Sequence, residues 1–137
     1  MSLFSFSGKR PDNLGVTQGQ LLACPGTPNC VSTQAETSDN EHYIAPIATD
    51  KSPADAIALL KSIIEGMERS TINEATDTYL YAEFSSKLMG FVDDVEFYAA
   101  PNSGVIQVRA AARLGKSDLG VNRKRMETIR EQFQAKA

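Results

Sequence analysis

Three runs decide the fold: Tyr79-Leu80-Tyr81-Ala82-Glu83-Phe84-Ser85, Phe91-Val92-Asp93-Asp94-Val95-Glu96-Phe97-Tyr98 and Val105-Ile106-Gln107-Val108-Arg109-Ala110-Ala111-Ala112. Each alternates in character along its length, which is the signature of a half-buried strand. Leu80, Ala82 and Phe84 share one face of the first run. Phe91, Val95 and Phe97 share one face of the second, and Ile106, Val108, Ala110 and Ala112 one face of the third. Turn residues separate the runs at 87–90 and 101–104, and another candidate strand precedes them across Thr76-Asp77. The spacing predicts an antiparallel meander of four strands at 70–75, 78–86, 91–99 and 105–113.

Four-residue connections between the last three strands set a register. Phe84 then opposes Asp93, Ala82 opposes Val95 and Leu80 opposes Phe97. Across the next hairpin Val95 opposes Ala110 and Phe97 opposes Val108. Apolar residues meet apolar residues, as a buried face requires. The other face carries Tyr79, Tyr81, Glu83, Asp94, Glu96, Tyr98, Gln107, Arg109 and Arg113, with Glu96 opposite both Tyr81 and Arg109. Three uses of that face compete. It is a structural network against which the first 50 residues pack, a platform for a ligand or partner, or an enzyme site with Asp94 or Glu96 as general base. An arginine beside a carboxylate lowers its pKa and weakens it as a base, which favours the network.

Helices flank the meander. Ser52 is a candidate N-cap, Pro53 suits the first helical position and Asp55 sits near the positive end of the dipole. Ile57, Leu60, Ile64 and Met67 recur at helical spacing, widened by Leu59 and Ile63, and the helix is expected to end between 66 and 69. A second helix is expected over 119–134, capped by Ser117 or Asp118, with Met126, Ile129 and Phe133 as its apolar stripe. Arg123, Lys124 and Arg125 crowd its first turns, where cations oppose the dipole. Arg113, Arg123 and Arg125 suggest a basic site for an anion, or internal pairing with Asp93, Asp94 and Asp118. Residues 1–50 hold four of the six prolines and four of the nine glycines and read as irregular coil wrapped on the rest.

The chain of 137 residues is sized for one domain with one core. The organisation expected is a single domain over 1–137, with an irregular wrap at 1–50 and an α-β-β-β-β-α core at 51–137. No apolar run is long enough to span a bilayer. A net charge of −3 argues against a nucleic-acid binder. The first 100 residues carry 6 Lys/Arg and 14 Asp/Glu, the last 37 carry 8 and 3, so two oppositely charged parts face each other or one offers a basic surface. The start, Met1-Ser2-Leu3-Phe4-Ser5-Phe6-Ser7, lacks the positive and apolar regions of a signal peptide.

The prolines and glycine of Cys24-Pro25-Gly26-Thr27-Pro28-Asn29-Cys30 bend the segment enough for the two thiols to meet. A disulfide is expected where the protein matures in an oxidising compartment. Free buried thiols, a partial metal site with His42, and a Cys-His nucleophile pair remain as alternatives. With no Cys-x-x-Cys pair and a single histidine, no metal site and no cofactor is expected.

The segments Cys24-Pro25 through Pro28-Asn29-Cys30-Val31-Ser32, Gly90-Phe91-Val92-Asp93-Asp94-Val95-Glu96, Val108-Arg109, and Arg113 through Gly115 and Ser117-Asp118-Leu119-Gly120-Val121-Asn122-Arg123-Lys124-Arg125 resemble the family named domain of unknown function 1499. The resemblance spans about residues 8–134. Residues 6–16, with Gly8-Lys9-Arg10-Pro11 and Asn13-Leu14-Gly15-Val16, resemble its cyanobacterial and plastid branch. It implies a periplasmic or thylakoid-associated setting, while the residues themselves leave a cytoplasmic one open. Thr33 and Ala110 depart from the serines expected of the family, which weakens a hydroxyl nucleophile at Ala110. The expected architecture is a two-layer α+β fold, a four-stranded antiparallel meander with both helices on one face. The expected function is a non-enzymatic binding or assembly module for an anionic small molecule or an envelope or thylakoid protein. The alternative is a small hydrolase or isomerase using the Asp93, Asp94, Glu96 and Arg109 cluster on the sheet. The candidate ligand or network residues are Asp93, Asp94, Glu96, Arg109, Arg113, Asp118, Asn122, Arg123 and Arg125.

Overall fold

The computed structural model describes residues 8–87 and 90–137. The reading of residues 1–7 as lacking a signal peptide, and the 88–89 part of the expected 87–90 turn, lie outside the described residues. The element order is β1 (Cys30–Ser32), β2 (Ile47–Ala48), α1 (Pro53–Glu65), β3 (Ser70–Ala75), β4 (Tyr79–Ser85), β5 (Val92–Tyr98), β6 (Val105–Ala112) and α2 (Val121–Lys136).

The fold is α+β, with a mainly antiparallel sheet ordered β1-β6-β5-β4-β3 and β2 also pairing with β6. The four-strand expectation is therefore corrected to six. The extra strands come from the segment expected to be irregular coil: Cys30 pairs with Ala111, Ser32 with Arg109, and Ile47 with Ile106. Strands of two and three residues are too short to show alternation, so only the open edge of β6 reveals them. The meander has the expected register, with Ala82 opposite Val95, Phe84 opposite Asp93, Val95 opposite Ala110 and Glu96 opposite Arg109.

Ser52 caps α1 by accepting a hydrogen bond from Asp55 N, with Pro53 at its start. Ala56, Ile57, Leu60, Ile63 and Ile64 of this helix are buried with Met126, Ile129 and Phe133 of α2. Both sets share one core with Leu80, Ala82, Val95, Phe97, Ile106 and Val108, so the helices cover a single sheet face. Burying one such side chain contributes about 1.5–3 kcal/mol, so this layer supplies most of the driving force. Met67 lies beyond the helix end and packs partly buried against that core.

Two further expectations need correction. Phe91 was expected in the core but is 41 % exposed, one residue ahead of β5, where its carbonyl accepts from Ser86 N in the hairpin end. α2 begins at Val121 rather than 119, and Gly120 at φ +79 occupies its N-cap with no side-chain cap bond. Asp118 instead bridges the start, accepting from Gly120 N and Asn122 N. Glycine meets that left-handed φ without a Cβ clash.

Candidate functional site

Alternation along β5 sends its acidic residues to opposite faces. Asp93 shares the helix-covered face with Val95 and Phe97, whereas Asp94 and Glu96 point toward the N-terminal segment. The nine candidates therefore divide into separate groups.

On the first face, Glu96 is fully buried. Its Oε2 accepts from Tyr79 Oη at 2.6 Å and from Gly15 N at 2.7 Å. Arg109, 5 % exposed, stands directly opposite on β6 with 3.9 Å between Nη1 and Glu96 Oε1. Burial pulls the Arg109 guanidinium below its ordinary pKa, against the attraction of Glu96 and Asp94. Asp94 accepts from Arg113 Nε at 2.9 Å, from Arg113 Nη2 at 2.8 Å and from Tyr81 Oη. Arg113 also pairs with Glu83, which in turn receives Arg10 at 2.7 Å. Burial pushes the Glu83 carboxyl up, but the hydrogen bonds from Arg10, Arg113 and Tyr81 outweigh it and leave it below the usual range. Burial, then the carboxylate each one bonds, raises the Tyr79 and Tyr81 hydroxyl pKa values. Leu14, Val16 and Leu21 pack against the tyrosines. This face is a network roofed by the N-terminal strap, and sequence alone showed no reason to join Gly15 or Arg10 to it.

On the helix side, Arg125 Nη1 donates to Asp93 Oδ2 and to Asn122 Oδ1, both at 2.8 Å, and its guanidinium lies over the Phe84 ring. Asn122 Nδ2 donates to Asp118 Oδ2 at 2.9 Å. Asp93, Asp118 and Arg125 line a cleft of about 380 Å3 between the β4–β5 hairpin end, the loop after β6 and the start of α2. Its walls include Phe91, Leu114 and Val121, each more than 40 % exposed. Burial raises the Asp93 carboxyl above its ordinary pKa although Arg125 and Asn122 pull it down. Sequence reasoning gathered Asp93, Asp118, Asn122 and Arg125 but missed the apolar walls. Phe91 falls on the apolar alternation that predicts core, and Leu114 carries no periodic signal.

The arginines 113, 123 and 125 do not converge. Arg123 reaches backward to backbone carbonyls, with Nη1 donating to Tyr43 O at 2.9 Å and Nη2 to Glu41 O at 3.2 Å. Arg130 clamps Ala45 O and Pro46 O in the same way. Cationic side chains of α2 thus fasten the segment that carries β2.

Cys24 and Cys30 are joined in a disulfide. The loop they close is tied down at its middle and beside Cys30. Asn29 Nδ2 donates to Gly115 O at 2.7 Å, and His42 Nε2 meets Thr27 O at 2.9 Å while Nδ1 meets Asp39 Oδ2 at 2.7 Å. Both nitrogens face acceptors, so the ring is satisfied only as the cation, and its pKa is raised chiefly by Asp39. Asp39, Glu41 and His42 place ligand-type atoms within 4.8 Å of one another, but Asp39 and Thr27 already engage the imidazole. No helix among the described residues is long and apolar enough to cross a membrane.

The model of the family described as protein of unknown function (DUF1499) matches residues 20–133. The match takes in the disulfide loop, the sheet and the cleft, and leaves out the strap that carries Arg10 and Gly15. No curated protein matches the chain.

Proposed function

The chain belongs to the DUF1499 family, and from that premise we propose that it is a non-enzymatic binding module, a single domain over 1–137 that takes its ligand in the cleft beside α2. One observation carries this reading: Phe91, Leu114 and Val121 stand around a polar floor in which Asp93 and Arg125 already pair. Apolar walls supply affinity and a few fixed polar groups orient the ligand, which is the usual construction of a small-molecule site. A volume of about 380 Å3 suits a compact organic molecule with an apolar body. Asp93 offers it one hydrogen-bonding partner, ionised or protonated according to pH.

The test uses 1-anilinonaphthalene-8-sulfonate followed by fluorescence and by amide chemical shifts. Shifts concentrated at 84–93 and 112–125, and lost in Phe91→Ser and Val121→Ser, are expected. Shifts spread over the whole surface, or unchanged in those variants, defeat the reading.

A second reading is favoured by Asp93 itself, since a carboxyl raised by burial in a cleft suits a general acid. Asp94, Glu96 and Arg109 take no part in it, being on the other face. A panel of chromogenic esters and phosphates separates the two: turnover abolished by Asp93→Asn makes the protein an enzyme.

A further inference from the structure

Among the described residues, the large apolar side chains that stand in solvent are Phe91, Leu114, Leu119 and Val121. Three line the cleft. The fourth, Leu119, is 93 % exposed, does not line it, and sits in the loop between Asp118 and Val121, which do. A leucine that far out contributes nothing to the core. It is also held at φ +55, a conformation costly for a bulky L residue. Hydrogen bonds fasten the turn around it: Leu119 N donates to Ser117 Oγ at 3.2 Å and Gly120 N to Asp118 Oδ1 at 2.9 Å.

The charge around this end is cationic. Lys116 shares the loop, Lys124 lies in the first turn of α2, and Lys87 follows Ser86, which lines the cleft; all three are exposed. Among the described residues none of the three is in an ion pair, while the nearby acids are engaged: Asp93 by Arg125, Glu68 by Arg69, and Asp118 by the amides of Gly120 and Asn122.

We propose that this end of the molecule docks on an anionic lipid surface. Leu119 and its apolar neighbours enter the boundary between headgroups and acyl chains, and the three lysines meet the lipid phosphates. Apolar side chains with exposed cations on the flanking segments match a surface that is anionic at its face and apolar just beneath, and the two attractions add. The inference goes beyond the cleft reading, because it rests on Leu119 and the three lysines, none of which lines the cleft.

Flotation with phosphatidylcholine vesicles, with and without phosphatidylglycerol, tests it. Binding is expected only with phosphatidylglycerol and should weaken as salt screens the lysines. Leu119→Asn removes the apolar tip with a residue that tolerates the left-handed φ, and should lower partitioning about tenfold. Lys116→Glu with Lys124→Glu should lower it about tenfold or more. All these positions are exposed, so thermal stability should stay near wild type. No flotation of the wild type, or flotation that Leu119→Asn leaves unchanged, overturns the proposal. Self-association in sedimentation that Leu119→Asn disperses, without vesicle binding, assigns the patch to a second copy and also overturns it. The dye titration of the cleft should be unaltered in Leu119→Asn, so failure of the docking and failure of the cleft reading are distinguishable.

Discussion

Glu96 faces Arg109 across one rung between β5 and β6, both buried, yet their charged atoms come no closer than 3.9 Å. Glu96 Oε1 and Arg109 Nε make no hydrogen bond among the described residues. The carboxylate is turned toward the strap because its other oxygen is held by Tyr79 and Gly15. Glu96 is kept in the interior by those two hydrogen bonds together with the Arg109 charge, and Arg109 by the charges of Glu96 and Asp94. Arg109→Met alone should destabilise by about 3 kcal/mol, because it leaves Glu96 buried without its counter-charge. Adding Glu96→Leu should recover part of that loss in urea unfolding. Losses that add to within about 0.5 kcal/mol would show that the two residues do not couple.

Arg125→Met should cost about 3 kcal/mol by stripping Asp93 of its cation and Phe84 of its stacked guanidinium. Asp93 is already raised above its unfolded value, so its ionisation opposes folding. That penalty is absent below the unfolded pKa and grows as pH rises through the folded one. Without Arg125 the carboxyl rises further, so the variant should lose more stability than wild type between pH 4 and pH 7. Equal losses across that range in thermal unfolding would contradict the account.

Cys24→Ser with Cys30→Ser should lower stability by about 2 kcal/mol, the chain-entropy value for so short a loop. The same change frees Asn29, whose side chain holds Gly115 at the cleft, so amide signals of 113–118 should broaden or shift. Signals there that stay fixed would mean that the disulfide loop and the cleft are independent.

His42 should make stability fall as pH rises. Its folded pKa is raised above the ordinary value, so its contribution is complete below about pH 6.5 and is lost as pH passes the folded value. His42→Gln should remove this slope. A melting-temperature profile between pH 5.5 and 8.5 that is the same in both proteins would exclude the charged pair with Asp39.

Arg123→Ala should respond to sulfate as wild type does at matched ionic strength, since the Arg123 guanidinium is committed to the carbonyls of 40, 41 and 43 rather than to an anion. The variant should lose roughly 1–2 kcal/mol through those hydrogen bonds. A sulfate-specific gain in melting temperature that only the wild type shows would restore an anion site at α2.

Much of the architecture is legible in the sequence. The register of β4, β5 and β6 follows from where Ala82, Val95 and Ala110 fall in their alternation, and a one-residue slip would expose all of them. Ser52 and Pro53 announce α1 through local backbone chemistry. The site was only partly readable. Its polar floor came from a motif, while its walls depended on Phe91 leaving the core at the hairpin end and on Leu114 following the last strand.

The sequence by itself determined the meander, the helical layer and the pairing of Glu96 with Arg109, because alternation and capping act between near neighbours. Tertiary structure alone decided the strands Cys30–Ser32 and Ile47–Ala48, the strap held by Glu96 and Glu83, and the destinations of Arg123 and Arg130. Those partners are backbone amides and carbonyls, which every residue carries whatever its side chain. Nothing in the order of residues marks one carbonyl as the acceptor, and only the packing of α2 against residues 40–48 brings those acceptors within reach.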